Sequence, residues 1–263
     1  MNELLERAES ANKVMPLIFI IDKSGSMSGA KIASVNKSMA DILPELKKIT
    51  NENDGAIIKI GVMEFDHTPN WITPALVEPH LFNWVDIVTD RGLTAFGAAC
   101  KSLNEQLSRN ALLSDPEGYN QPVIILLSDG EPTDEWSHHV DKLKQNQWFK
   151  LSQKFAIAIG HDAVSKENLE ALYSFLGHVE GIMLAKDVAT LSKMIEVVSV
   201  TASQITSNSQ APTSSASMTD AQIDEQGMKD TYKAVNSAVD ANVDGAVTAS
   251  NDSFGDLDFS AFT

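Results

Sequence analysis

The stretch LIFIIDKSGSMSG, residues 17–29, decides how the rest of the chain is read. Leu17, Ile18, Phe19, Ile20 and Ile21 form a continuous apolar run that stops on Asp22. Ser24, Ser26 and Ser28 follow, with Gly25 and Gly29 between them. A short apolar run ended by turn residues is the pattern of a strand buried on both faces. A helical pattern begins at Lys31, so a carboxylate and a row of hydroxyls lie where a central strand hands over to a helix. In open α/β sheets that is where ligands bind.

The same alternation continues along the chain. Residues 1–12 read as a polar N-terminal arm and 14–22 as the first strand. Ile32, Val35, Met39, Ile42, Leu43 and Leu46 recur at helical spacing up to Ile49, with Pro44 expected to distort the second half. Ile57–Phe65 reads as a second strand and Trp71–Val77 as a third, antiparallel to it and at the sheet edge, where Pro74 is tolerated. Phe82–Val88 reads equally as a loop or a short helix. A helix follows from Ala95 to Ser108, then the apolar run Val123–Leu127, a helix over Trp136–Gln145 and a third apolar run, Phe155–Ile159. A helix at 166–176, a short strand at 181–184 and a helix at 189–203 complete the unit. Strands alternating with helices predict a doubly wound, Rossmann-like α/β domain over residues 13–203, with a mostly parallel sheet, one antiparallel edge strand and helices on both faces.

Beyond residue 204 the composition shifts to Ser, Thr, Ala, Asn and Asp. Residues 201–263 hold nine acids and two lysines, so −7 of the formal −16 of the 263-residue chain lies there. Such a segment is expected to be a largely disordered acidic tail over 204–263, because it lacks the apolar surface to offset the entropy of ordering. Two islands stand out within it. A helix over 219–241 is signalled by Thr219 and Gln222 as a capping box. The final FGDLDFSAFT sets four apolar side chains among acids and reads either as solvated chain or as a docking peptide for a partner.

Bulk properties exclude several function classes. Apolar residues make up 43% of the chain, enough for a packed core, and the sequence pI near 4.7 argues against nucleic acid or an anionic membrane as partner. No apolar run approaches the roughly 18 residues of a spanning helix. With a charged N-terminus and a single cysteine, Cys100, the expected location is cytoplasmic.

Three loops carry hard oxygen donors: Asp22, Ser24 and Ser26 after the first strand, Thr94 between Gly92 and Gly97, and Asp129 after the run at Val123. Carboxylate and hydroxyl oxygens suit Mg²⁺ or Mn²⁺, with Ca²⁺ also compatible. One such loop alone is more simply a helix cap, and agreement across three reverses that reading. Asp134 and Glu135 read as caps for the helix at Trp136, and Cys100 as a small core residue. Gly25–Lys31 fails as a phosphate loop, since three residues rather than four separate its glycines and Ile32 follows the lysine.

In order and separation, Asp22-Lys-Ser24-Gly-Ser26, Thr94 and Ser128-Asp129-Gly130 resemble the metal-ion-dependent adhesion site of von Willebrand factor type A domains. SDGEPTD, residues 128–134, is similar to the bacterial intracellular branch that includes tellurite-resistance-associated proteins. The resemblance implies that Ser24, Ser26 and Thr94 coordinate Mg²⁺ through hydroxyls, with Asp22 and Asp129 acting directly or through water. It further implies a cation that keeps unsatisfied positive charge and takes a Glu or Asp of a partner protein. The alternative is an enzyme, a phosphoryl-transfer or hydrolytic protein using the same cation as Lewis acid. No nucleophile motif accompanies the donors.

Overall fold

The computed structural model describes residues 13–52, 57–89, 92–116, 118–160, 163, 165–208 and 225–248. Seven strands form one sheet: β1 (Val14–Asp22), β2 (Ile57–Phe65), β3 (Pro69–Trp71), β4 (Val123–Ser128), β5 (Gln153–Ile159), β6 (Ile182–Ala185) and β7 (Val247–Thr248). Their spatial order is β3-β2-β1-β4-β5-β6-β7. The five inner strands run parallel, and β3 and β7 close the two edges antiparallel to their neighbours. Every residue of β1, β4 and β5 is buried, as their continuous apolar runs require.

The alternation of side chains along these strands feeds two cores. Leu17, Phe19 and Ile21 face one side with α1 (Ala30–Glu52) and α6 (Val188–Asn208). Ile18 and Ile20 face the other, with α2 (Phe96–Gln106), α3 (Ser137–Leu143), α4 (Gln147–Leu151) and α5 (Lys166–Leu176). Each fully buried Leu, Ile or Phe contributes about 1.5–3 kcal/mol. Because β1 lies between β2 and β4, chain order reverses at the β1/β4 pair, and a crevice opens at the carboxyl ends of those strands.

Three local readings differ from the sequence expectation. The edge strand is Pro69–Trp71 rather than 71–77. Beyond it the Thr73 hydroxyl, not a main-chain carbonyl, accepts the Val62 amide at 2.8 Å, and Pro74 has no amide to offer a ladder. The helix expected over Trp136–Gln145 is found at Ser137–Leu143, and a second short helix that the sequence did not signal follows it, with Asn146 capping it through the Trp148 and Phe149 amides. The third correction concerns the acidic tail. Residues 225–242 form α7, which overlaps the helix anticipated over 219–241, and it is docked rather than solvated. Tyr232, Val235 and Val239 are buried in the α1/α6 core, and the chain then adds β7 to β6. The apolar positions 228, 232, 235 and 239 of α7, with 243 just beyond it, repeat at helical spacing, which a composition average over the whole tail conceals. The arm 1–12, the segment 209–224 and the closing FGDLDFSAFT lie outside the described residues.

Candidate functional site

The parallel register of β1 and β4 sets Ile21 beside Leu127, so Asp22 and Ser128 fall together at the carboxyl ends of the strands. Asp22 is fully buried. Its Oδ1 accepts the Ser24 amide at 2.8 Å and its Oδ2 accepts the Ser128 hydroxyl at 2.8 Å. The first contact turns the backbone sharply out of the strand into a 3₁₀ turn, Gly25–Met27, pinned by the buried Met27 side chain. That turn lifts Ser24 and Ser26 onto one side of the loop, with their hydroxyls 3.0 Å apart.

Ser26 Oγ donates to Asp129 Oδ1 at 2.7 Å, joining the first loop to the second. The Asp129 side chain is fully buried, and its other oxygen accepts from the Lys31 ammonium in the first turn of α1. A Cβ placed on Gly130 would lie 3.7 Å from Ser26 Oγ and 3.8 Å from Thr94 Oγ1, so the hydroxyls of the first and third loops flank the same backbone.

Thr94 is held in place by main-chain and side-chain bonds. The Thr133 hydroxyl accepts the Thr94 amide, the Thr94 carbonyl accepts the Thr133 amide, and the Gly25 amide donates to the Gly92 carbonyl. Asp134 fixes the same loop. Its two carboxylate oxygens accept the Gly97 and Ala98 amides at 2.9 Å each, capping α2 from a distant part of the chain. The sequence assigned Asp134 to the helix at Trp136, and the structure corrects this. The two bracketing glycines permit close approach: a Cβ on Gly97 would meet the Trp136 Cα at 2.8 Å, and one on Gly92 the Asp66 Cβ at 2.6 Å.

The structure therefore brings all five predicted residues, Asp22, Ser24, Ser26, Thr94 and Asp129, to one crevice. Sequence reasoning did not assign roles to Ser128, Thr133 or Lys31. Ser128 sat in the quoted motif, and Lys31 carried a signal of its own, a cation in the first turn of a helix, where the macrodipole disfavours it. Asp22, Ser24, Thr94 and Asp129 are buried and Ser26 is exposed, so the donors open to solvent at Ser26.

Burial pushes the Asp22 carboxyl up to about 6, partly offset by the hydrogen bonds from Ser24 and Ser128, with the nearby Asp129 charge adding to the rise. Every side chain that donates to Asp22 is neutral, whereas Asp129 has an ammonium. A divalent cation suits this donor set. It would meet two carboxylates and three hydroxyls, all hard oxygens, and would relieve the charge on Asp22. Among the described residues no group of three His, Cys, Asp or Glu side chains converges, so the hydroxyls must contribute to any such site.

Residues 17–131 match the model of the von Willebrand factor type A domain. The fold is that of a von Willebrand factor type A domain. Solved structures agree. A von Willebrand factor type A protein from Catenulispora acidiphila aligns with a TM-score of 0.53 at 15% identity, over 72% of this chain and 42% of that one. Proximal thread matrix protein 1 from the mussel byssus, in a structure with a zinc-occupied MIDAS motif, aligns with a TM-score of 0.52 at 19% identity, over 73% of this chain and 48% of that one. At those identities the likeness is one of fold. A mouse protein, inter alpha-trypsin inhibitor heavy chain 4, is 30% identical over 123 residues, 44% of this chain. The chain spans 12% of that protein's length. Among the described residues no helix is long and apolar enough to cross a membrane.

Proposed function

We propose that this von Willebrand factor type A domain is a metal-dependent protein-binding module. Asp22, Ser24, Ser26, Thr94 and Asp129 hold a divalent cation, Mg²⁺ by preference, and a partner protein presents an Asp or Glu to it. The observation that carries this reading is the meeting of oxygen donors from three separate loops beside the exposed Ser26 hydroxyl. Bound there, the cation supplies a Lewis-acidic position for a carboxylate oxygen.

The chain's own residues supply the rest. Three of the five donors are neutral hydroxyls and the Lys31 ammonium offsets one of the two carboxylates, so the site as it stands does not cancel the charge of a divalent cation. A partner carboxylate then gains a short, charge-assisted contact. Ser26 marks the side from which a partner reaches the site, while burial of Asp22 and Asp129 keeps water from screening the charges beneath. Ser24 and Ser26 are engaged with each other and with Asp129. Those bonds hold both hydroxyls at the mouth of the crevice, where they can ligate a shared ion.

The likeness of SDGEPTD, residues 128–134, to the tellurite-resistance-associated branch supports a cytoplasmic role in a bacterial stress-response or phosphorylation-linked complex. Affinity capture on the immobilised protein tests the reading. Partners retained in Mg²⁺ are expected to elute with EDTA and to be missed by Asp22→Ala. Retention that ignores both EDTA and Asp22→Ala would refute it.

A further inference from the structure

Lys31 is the one member of the crevice that a cation site does not call for. It is the second residue of α1, where a positive charge opposes the helix macrodipole. Its ammonium nevertheless turns inward to Asp129 Oδ2, while its side chain keeps 29% of its surface exposed. The backbone of Gly160, at the end of β5 with φ +88°, lies alongside. A Cβ there would be 3.6 Å from both the Lys31 Cε and Nζ. Among the described residues Asp129 is the only carboxylate within ion-pair distance of it. The lysine thus sits in a slot between β4 and β5 with its charge on a group assigned above to the cation.

We propose that Lys31 is a resident counter-ion that competes with the divalent cation for Asp129 and so sets the affinity of the site. This rests on the metal-binding reading above. With the ammonium in place, the two aspartates and the lysine carry a net charge of −1. Without it they carry −2. A divalent ion entering the crevice must displace the ammonium from Asp129 or accept its repulsion at short range. In a buried site that interaction is weakly screened. The same charge explains how two acids remain side by side before any cation arrives. The consequence is a site that is folded without metal and binds it more weakly than its oxygen donors alone would allow.

Titration of Mn²⁺ alone, followed by the electron paramagnetic resonance signal of the free ion, tests this on the full chain. The variants are Lys31→Met, Lys31→Gln, Lys31→Arg and Asp22→Ala. Lys31→Met and Lys31→Gln are expected to bind about tenfold more tightly than the wild type, or better. Lys31→Arg should stay within about threefold, since it keeps the charge. Tighter binding by the two neutral variants supports the proposal even if the wild type binds too weakly to detect. Equal or weaker binding in both neutral variants, with the wild type binding and Asp22→Ala not, overturns the role of Lys31 and leaves the metal site standing. No binding by the wild type or by either neutral variant, each with a native circular dichroism spectrum, overturns both.

Discussion

The loops after β1 and β4 each present a buried aspartate to one crevice, and they stabilise it by opposite means. Asp22 is held by neutral donors, a backbone amide and the Ser128 hydroxyl, and burial pushes its carboxyl up to about 6. Asp129 is held by one hydroxyl and one full positive charge, Lys31. Two carboxylates of the same type, one strand apart, therefore differ in what they lack. Asp22 lacks a countercharge, whereas Asp129 already has one that an incoming cation must share. On the proposed reading, the crevice is assembled before its ion arrives, with one acid paired locally and the other left without a countercharge.

The sharpest way to break this comparison is to make the same substitution at both positions. Asp22→Asn and Asp129→Asn should each abolish divalent-cation binding, a loss of about 100-fold or more in calorimetric affinity. Their effects on the metal-free fold should carry opposite signs. Asp22→Asn removes a disfavoured buried charge while keeping an acceptor for the Ser24 amide, and should stabilise by about 1–3 kcal/mol at pH 7.5. Asp129→Asn strips Lys31 of its countercharge and should destabilise by about 1–2 kcal/mol, less than a fully buried pair because the lysine is partly exposed. Urea unfolding in EDTA reads both, and equal signs would break the contrast.

The pH dependence comes next in size. The folded Asp22 carboxyl titrates near 6, above its ordinary value of 3.8, so the folded state holds that proton more tightly than the unfolded chain. Below about pH 4 both states are protonated and there is no penalty. Stability should then fall as pH rises toward 6, by about 2–3 kcal/mol from this group, and level off above. Cation binding displaces the same proton, so affinity should weaken up to about tenfold per pH unit below 6. Asp22→Asn should abolish that part of the stability profile.

A smaller effect is expected from the third loop. Asp134→Ala leaves the Gly97 and Ala98 amides uncapped, which should cost about 1–2 kcal/mol and loosen Thr94, weakening cation affinity about threefold to tenfold. The control at the bottom of the scale is Val239→Ala in α7. It should lower stability by about 1–3 kcal/mol by opening a cavity, yet leave cation affinity unchanged within about twofold, because α7 packs on α6 and the β7 edge while the crevice lies at the β1/β4 pair.

Much of this was legible in residues 17–29. A strand buried on both faces has to be apolar at every position, so β1, β4 and β5 announced themselves as runs, and their carboxyl ends located Asp22 and Asp129. Other features were not legible because they depend on contacts between distant segments. That Asp134 caps α2 follows from the approach of Gly97 to Trp136, which no local pattern records. Lys31 stood out as a cation in the first turn of a helix, but its partner Asp129 lies about a hundred residues on and is legible only in the fold. The docking of α7 was masked by averaging its apolar stripe with the polar chain on either side. The strand expected at 71–77 pairs with β2 at Trp71 and again at Val77 and is interrupted between them, where the Thr73 hydroxyl takes the place of a backbone acceptor, a substitution that β propensity does not anticipate.

The proposed function requires that three loops jointly hold one cation. Calorimetric titration of Mg²⁺ into the wild type and Thr94→Ala checks this, because Thr94 comes from a loop that follows neither aspartate's strand and bears no charge. A single site is expected in the wild type, weakened about tenfold or more in Thr94→Ala with the fold intact by circular dichroism. Identical Mg²⁺ affinity in the two proteins, or no heat of binding in the wild type under conditions where Lys31→Met also shows none, would contradict it.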